Sequence, residues 1–188
     1  MPNLPAEPDF YPEDLFSSLE SNGTSDRKWW AIYTMSRREK TFMRRLTALE
    51  VPFYGPLIRR RTQAPNGRKR ESFVPLFPNY VFVHGDDEQR RAALTTNCVS
   101  KCLPVADAEQ LTRDLSQLHA IIEADIDMTP EARLEPGTPV RICSGSMAGL
   151  EGVVLKRHGQ ERLVVAVRFL QQGASILVED FAVEPISA

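Results

Sequence analysis

Val140-Arg-Ile-Cys-Ser-Gly-Ser-Met-Ala-Gly-Leu-Glu-Gly-Val-Val154 places three glycines between two valine-containing strands. The spacing predicts a strand that runs out at Gly145 and a tight loop that needs Gly149. A second strand follows, whose start at Gly152 admits close approach of another backbone. The texture around this stretch is uniform. From Gly137 onward, β-prone runs recur at Pro139 to Cys143, Gly152 to Arg157, Leu163 to Phe169, Ser175 to Glu179 and Ala182 to Ile186. Short strands at close spacing, with glycine turns between them, predict a small five-stranded all-β barrel over residues 137–188.

Upstream the pattern is mixed. Trp29-Trp-Ala-Ile-Tyr-Thr-Met35 is apolar, β-prone and bounded by charge, which predicts a buried strand. Ser36 and Glu39 have capping-box spacing for a helix with Phe42, Leu46 and Leu49 on one face, ended by Pro52. An arm follows: Leu57 and Ile58, the cluster Arg59-Arg60-Arg61, the turn Ala64-Pro-Asn-Gly67, and a return from Arg68 to Val74. In the next strand, Tyr80-Val-Phe-Val-His84, Tyr80 and Phe82 share one side while Val81 and Val83 share the other. Asp86 caps a short helix, Val99 to Leu103 reads as a strand, and Asp107 with Gln110 opens a helix striped by Leu111, Leu115, Leu118 and Ile122. An antiparallel sheet with flanking helices results, an α+β domain over residues 28–123.

Two segments lie outside these domains. Residues 1–27 are rich in Pro, Ser, Glu and Asp and read as a disordered extension, with at most a short helical stretch between Pro12 and Leu19. Residues 124–136 are acidic, contain two prolines and lack an apolar period, which reads as a linker.

Composition narrows the class. Of 188 residues, 42% are hydrophobic and 26% charged, ordinary values for a globular protein. No apolar run is long enough for a transmembrane helix, and the N-terminus lacks the basic flank and apolar core of a signal peptide. The 3 cysteines give no disulfide framework and point to reduced thiols in the cytoplasm. The net charge of -2 conceals a basic stretch from Arg37 to Arg91, which suits either a local polyanion contact or a solvated hairpin. Cys98 and Cys102 lack a second ligand pair, and His84, His119 and His158 stand apart with no nucleophile beside them. The expectation is a non-enzymatic protein without metal or cofactor.

The glycine stretch resembles the KOW motif of transcription and ribosomal proteins. With Trp29-Trp-Ala-Ile-Tyr33, Glu39 on the following helix and Leu76-Phe-Pro-Asn-Tyr-Val-Phe-Val83 before it, the chain resembles the NusG family from about residue 29 to 187. Asn79 stands where housekeeping members usually carry glycine, a feature shared with specialised paralogues of the RfaH type. The resemblance implies an elongation or antitermination factor that suppresses pausing or termination. Its N-terminal domain would hold the β′ clamp helices of bacterial RNA polymerase through Tyr33, Tyr80 and Phe82. A second contact, to the β gate loop, would fall near Arg90 to Asn97, where no matching motif stands.

Arg37, Arg38, Arg44 and Arg45 are the implied contacts to non-template DNA, for which arginine is chemically suited. The barrel would recruit a ribosomal small-subunit protein or Rho through Phe169 and Leu170, with Ile142 behind them. Leu170-Gln-Gln-Gly-Ala174 departs from the housekeeping pattern. Two other readings stay open: housekeeping NusG acting with Rho, and a KOW-containing RNA- or ribosome-binding protein. A monomer with no membrane contact is expected. The valine, proline and glycine content of residues 137–187 also predicts a stable barrel and disfavours a helical alternative.

Overall fold

A computed structural model describes residues 8–21, 27–63, 67, 69–131, 133, 137–157, 160–178 and 181–186. The chain divides into two compact units, Met1–Ala108 and Glu109–Ala188. The boundary falls at the start of the last helix, so that helix groups with the C-terminal unit and not with the first domain.

The first unit is an α+β domain. Its antiparallel sheet contains β1 (Phe10–Tyr11), β2 (Lys28–Thr34), β3 (Phe53–Tyr54), β6 (Tyr80–Gly85) and β7 (Val99–Pro104), in the order β1-β3-β6-β2-β7. Strands β4 (Leu57–Gln63) and β5 (Lys69–Pro75) form a separate two-stranded hairpin, whose turn residues 64–66 lie outside the described residues. Helices α2 (Glu39–Ala48) and α3 (Asp87–Leu94) complete the domain. Strand alternation sorts side chains onto two faces. Ile32, Val81, Val83 and Phe53 join Phe42, Met43 and Leu46 of α2 in one buried cluster. The aromatic residues at the intervening positions occupy the other face.

Helix α2 starts without the expected capping box. No side chain caps its N-terminus, because Glu39 turns its carboxylate to the main chain of a neighbouring turn. Leu49 is not on the packed face either. It is the C-cap residue and is exposed, while Met43 takes the core position beside Phe42 and Leu46. The cap of α3 is as expected: Asp86 accepts from the Gln89 N–H at 2.8 Å, and the Gln89 side chain accepts from the Asp86 N–H at 3.2 Å.

The reading of residues 1–27 as disordered needs correction. Residues 1–7 and 22–26 lie outside the described residues, but Phe10–Tyr11 adds edge strand β1 to β3, and Leu15–Ser21 forms α1. The Asp9 carbonyl accepts from the Gly55 N–H, extending the edge. Leu15 is 2% exposed, and the Phe16 ring stands edge-on to Tyr54 at 5.0 Å. Polar composition masked this, since three apolar side chains in a short arm suffice when a sheet edge and an aromatic face are available to receive them.

The second unit contains α4 (Ala108–Glu123) and a six-stranded antiparallel sheet, ordered β13-β9-β10-β11-β12-β8. Five strands match the sequence expectation closely: β9 (Thr138–Ile142), β10 (Glu151–Arg157), β11 (Gln160–Val167), β12 (Gln172–Leu177) and β13 (Val183–Pro185). The sixth, β8 (Thr129–Glu131), comes from the segment read as linker and pairs with β12. No periodicity marks it, because three residues carry too little pattern to show one. On α4 the buried positions are Leu111, Asp114, Leu115, Leu118 and Ile121, with Ile122 only half-buried. Among the described residues no helix is long and apolar enough to cross a membrane.

Leu15→Ala is expected to lower the stability of the first unit by about 2–4 kcal/mol, the usual cost of emptying a buried leucine site. Urea denaturation followed by tryptophan fluorescence measures this, and an unchanged midpoint would mean that the arm does not pack.

Candidate functional site

The aromatic face of the first unit is built by register. Tyr33 of β2 lies directly opposite Tyr80 of β6, and their rings meet edge-on with centroids 5.1 Å apart and planes at 74°. Both are half-buried. Two residues along β6, Phe82 is fully buried, opposite Ala31 on one side and Tyr54 on the other. Phe77 stands edge-on to Phe82 at 6.5 Å. The tyrosine pair is therefore the accessible part of the row, and Phe82 is its foundation. Edge-to-face pairs of this kind add about 0.5–1.5 kcal/mol beyond area burial and hold the rings in fixed orientations.

One turn positions Tyr80. Asn79 adopts φ 67°, in the left-handed region that Asn and Gly tolerate better than other residues. Its N–H donates to Glu39 Oε1 at 2.8 Å, and its carbonyl accepts from the Thr34 N–H at 2.8 Å. Glu39 and Thr34 are both buried. A buried carboxylate needs hydrogen-bond partners, so this bond satisfies Glu39 while locking the turn against α2. Asparagine at the position where glycine is usual thus keeps the backbone conformation. Sequence reading placed Glu39 at a helix cap and missed this role.

At the far end of the face, His84 packs against Trp29 with ring centroids 4.9 Å apart. Burial, reinforced by the Arg27 charge, lowers its pKa from 6.5 to about 4. The imidazole is neutral at pH 7 and serves as an aromatic spacer.

The arginines do not behave as one group. Arg37 and Arg38 are exposed in the connection from β2 to α2, with Arg37 at φ 60°. On α2, Arg44 Nε donates to the Lys40 carbonyl at 3.3 Å, and the Arg45 guanidinium donates to the Thr96 carbonyl. Arg45 therefore ties α2 to the turn after α3. In the hairpin, Arg59 and Arg61 share the Glu71 carboxylate at 3.3 and 3.4 Å. Arg60 points to the opposite face and is exposed. Within the stretch Arg90 to Asn97, Arg90 lies over the Trp30 ring at 4.9 Å and pairs with Asp87 at 3.2 Å, so it is committed to local packing.

In the second unit, Gly145 and Gly149 adopt φ 87° and 90°, which side-chain-bearing residues rarely adopt. At Gly152 an added Cβ would lie 2.5 Å from the Val164 carbonyl oxygen, so the close approach read from the sequence is present. Phe169 is 37% exposed and Leu170 half-buried, both in a single helical turn, Arg168–Leu170, whereas Ile142 is in the core. Cys98 is buried, Cys102 half-buried and Cys143 exposed. Among the described residues no three His, Cys, Asp or Glu side chains cluster as metal ligands would.

The chain thus joins an α+β unit carrying a half-buried tyrosine pair to a small barrel built on a glycine loop. Residues 27–117 match the family model described as "Transcription termination factor nusG". Over 179 residues the chain is 25% identical to the transcription termination/antitermination protein NusG of Pseudomonas aeruginosa, covering 85% of this chain and 99% of that relative. Tyr33, Tyr80, Phe82 and all four candidate DNA-contacting arginines fall inside the matched domain, and the arm at residues 8–21 falls outside it.

The low pKa of His84 has a definite consequence for stability. Between pH 6.5 and about 4 the unfolded chain takes up a proton on this residue that the folded chain refuses. Its contribution is complete above pH 6.5, declines as pH falls through that window, and is constant below it. Urea midpoints at pH 7, 5.5 and 4.5 should fall more steeply for the native protein than for His84→Gln; parallel curves would rule out a neutral buried imidazole.

Proposed function

We propose that this protein is a transcription elongation and antitermination factor of the cytoplasm that binds bacterial RNA polymerase through its N-terminal domain and recruits a second protein through its barrel. The half-exposed Tyr33–Tyr80 pair carries the reading. It presents two rigid amphipathic rings at the surface, over an aromatic foundation that cannot move aside. Such a surface suits the side of a helical partner, and the β′ clamp helices are that partner in this proposal. Phe82 contributes from beneath by supporting the tyrosines. Similarity to a termination/antitermination protein supports the same assignment.

Binding would act by differential affinity. A factor that prefers the elongating form of the polymerase shifts the population away from the paused form, without catalysing any reaction. Arg37 and Arg38 supply exposed cations within a few residues of Tyr33, and these form the proposed contact to non-template DNA. Arg44 and Arg45 are secondary, since both guanidinium groups already donate to main-chain carbonyls. The β gate loop contact is not part of the proposal, because Arg90 is engaged with Trp30 and Asp87. In the barrel, Phe169 and Leu170 are the proposed contacts to a ribosomal small-subunit protein or Rho. A specialised RfaH-type role is proposed on Asn79 standing where housekeeping members usually carry glycine; its φ 67° turn is compatible with either residue.

Two experiments test the proposal. In a pull-down with purified bacterial RNA polymerase, Tyr33→Ala/Tyr80→Ala should weaken binding at least about ten-fold, the loss of two aromatic anchors at about 1–2 kcal/mol each. Circular dichroism confirms that the variant is folded. No binding by the native protein would turn attention to an RNA or ribosome partner. Separately, Arg37→Glu/Arg38→Glu should reduce recruitment to an elongation complex with exposed non-template DNA while leaving binding to free polymerase intact. Equal loss in both assays would place these arginines at the polymerase contact instead.

A further inference from the structure

The connection from β2 to α2 runs through exposed residues, Met35 to Arg38, between two buried ones, Thr34 and Glu39. Even Met35 is 49% exposed, so side-chain packing does not hold this loop in shape. Main-chain bonds do. The Met35 N–H donates to the Cys98 carbonyl at 2.8 Å, and the Arg38 N–H donates back to the Met35 carbonyl at 3.1 Å, closing a turn. Arg37 stands third in that turn with φ 60°, a conformation that favours glycine or asparagine. A bulkier residue keeps it only where the surroundings impose it.

Both buried ends of the loop bind one residue. The Thr34 N–H donates to the Asn79 carbonyl at 2.8 Å, and the Thr34 hydroxyl donates to the same oxygen at 3.3 Å. Glu39 Oε1 accepts from the Asn79 N–H at 2.8 Å. Asn79 therefore holds the chain as it leaves β2 and again as it enters α2, and it immediately precedes Tyr80. Tyr33 stands just before the first anchor. The tyrosine pair and the exposed Arg37 and Arg38 are thus fastened to one hydrogen-bonded ring. The Thr34 link keeps its main-chain bond whatever side chain stands there, whereas the Glu39 link exists only through its side chain.

Taking the tyrosine pair and the two arginines as the polymerase and DNA contacts proposed above, we propose that Glu39 is the positioning residue for both. By holding Asn79 it sets Tyr80 against Tyr33 and fixes the turn that carries Arg37 and Arg38. The two contacts then form one surface that is ordered before any partner arrives. Such a surface binds more tightly, because the cost of ordering it is not met at association. Glu39 itself touches neither partner, and nothing has to move aside. The role needs an acceptor oxygen aimed at a main-chain N–H and not a negative charge. Glutamine supplies that oxygen; leucine, of similar size, leaves the N–H without it.

The test compares Glu39→Gln with Glu39→Leu in the full chain. Binding to free RNA polymerase reads the tyrosines, and recruitment to an elongation complex with exposed non-template DNA reads the arginines as well. Glu39→Leu should weaken the first by about five- to ten-fold and the second by more, while Glu39→Gln stays within about two-fold of the native chain in both. In a Tyr80→Ala background, Glu39→Leu should cost polymerase binding less than about two-fold further, because the group it places is gone. Amide hydrogen exchange gives the local readout: Thr34 and Asn79 should lose about ten-fold in protection in Glu39→Leu but not in Glu39→Gln, with Val81 and Val83 unchanged in both. Native-like binding by Glu39→Leu, equal losses in the two variants, or an undiminished loss in the Tyr80→Ala background would overturn the proposal. If Glu39→Leu does not fold, Glu39→Asp, with its carboxylate drawn back by a methylene, replaces it in every comparison. Should Tyr33→Ala/Tyr80→Ala bind polymerase as the native chain does, the polymerase reading fails by itself; the Thr34 and Asn79 amides then decide whether Glu39 holds the loop, and unchanged exchange refutes it.

Discussion

The first unit depends on how one buried carboxylate is satisfied. Glu39 begins α2, lies in the interior, and takes the N–H of Asn79 as its partner. That bond joins the helix on one face of the sheet to the turn that delivers Tyr80 to the other, and Thr34 closes the junction from β2. Leaving a buried carboxylate unpartnered would cost several kcal/mol, so the turn is held by necessity and not by local preference alone. Asn79 can answer because its left-handed backbone points the N–H inward. Everything accessible on the aromatic face follows from this arrangement, since Tyr33 and Tyr80 meet only if β2 and β6 keep their register.

The same economy governs the basic residues. A stretch dense in arginine invites a reading as one polyanion surface, yet several of its cations already have partners within the fold. Arg45 donates to Thr96, Arg90 lies over Trp30, and Arg59 and Arg61 share Glu71. Exposed ion pairs such as these contribute little stability, but they fix where guanidinium groups point. Exposed cations remain among the described residues at Arg37 and Arg38 in the β2–α2 connection and at Arg60 on the hairpin. Local electrostatics thus trims a long charge run to a few candidate contacts.

In the second unit the polar interior is also purposeful. Burial raises the pKa of Asp114, opposed by the Arg168 N–H and the Gln110 side chain. A carboxylate in that position stays useful only while its donors are present, which couples α4 to the barrel through groups that cannot simply be left in water-free surroundings. The pairing of β8 with β12 adds to the same sheet three residues that lie between α4 and β9, a segment that a linear reading treats as connection.

Much of this protein was legible from the chain alone. Alternation in Tyr80 to His84 and the glycine spacing from Gly145 to Gly152 determined both sheets, because side-chain period and positive φ are local properties. The Asp86 cap and five of the six strands of the barrel sheet were visible for the same reason, whereas Tyr33 and Tyr80 were singled out only by resemblance to a family. Tertiary structure decided the rest. Phe82 could be contact or core on sequence alone, and its pairing with Tyr54 and Phe77 makes it core; Leu49 looked like core until the helix ended at it. Glu39 left its helix cap for a turn forty residues away, and a polar N-terminal arm found an edge and an aromatic face to join. Each of these outcomes rests on partners distant in sequence, and no local pattern specifies where a buried polar group or a sheet edge will find its complement.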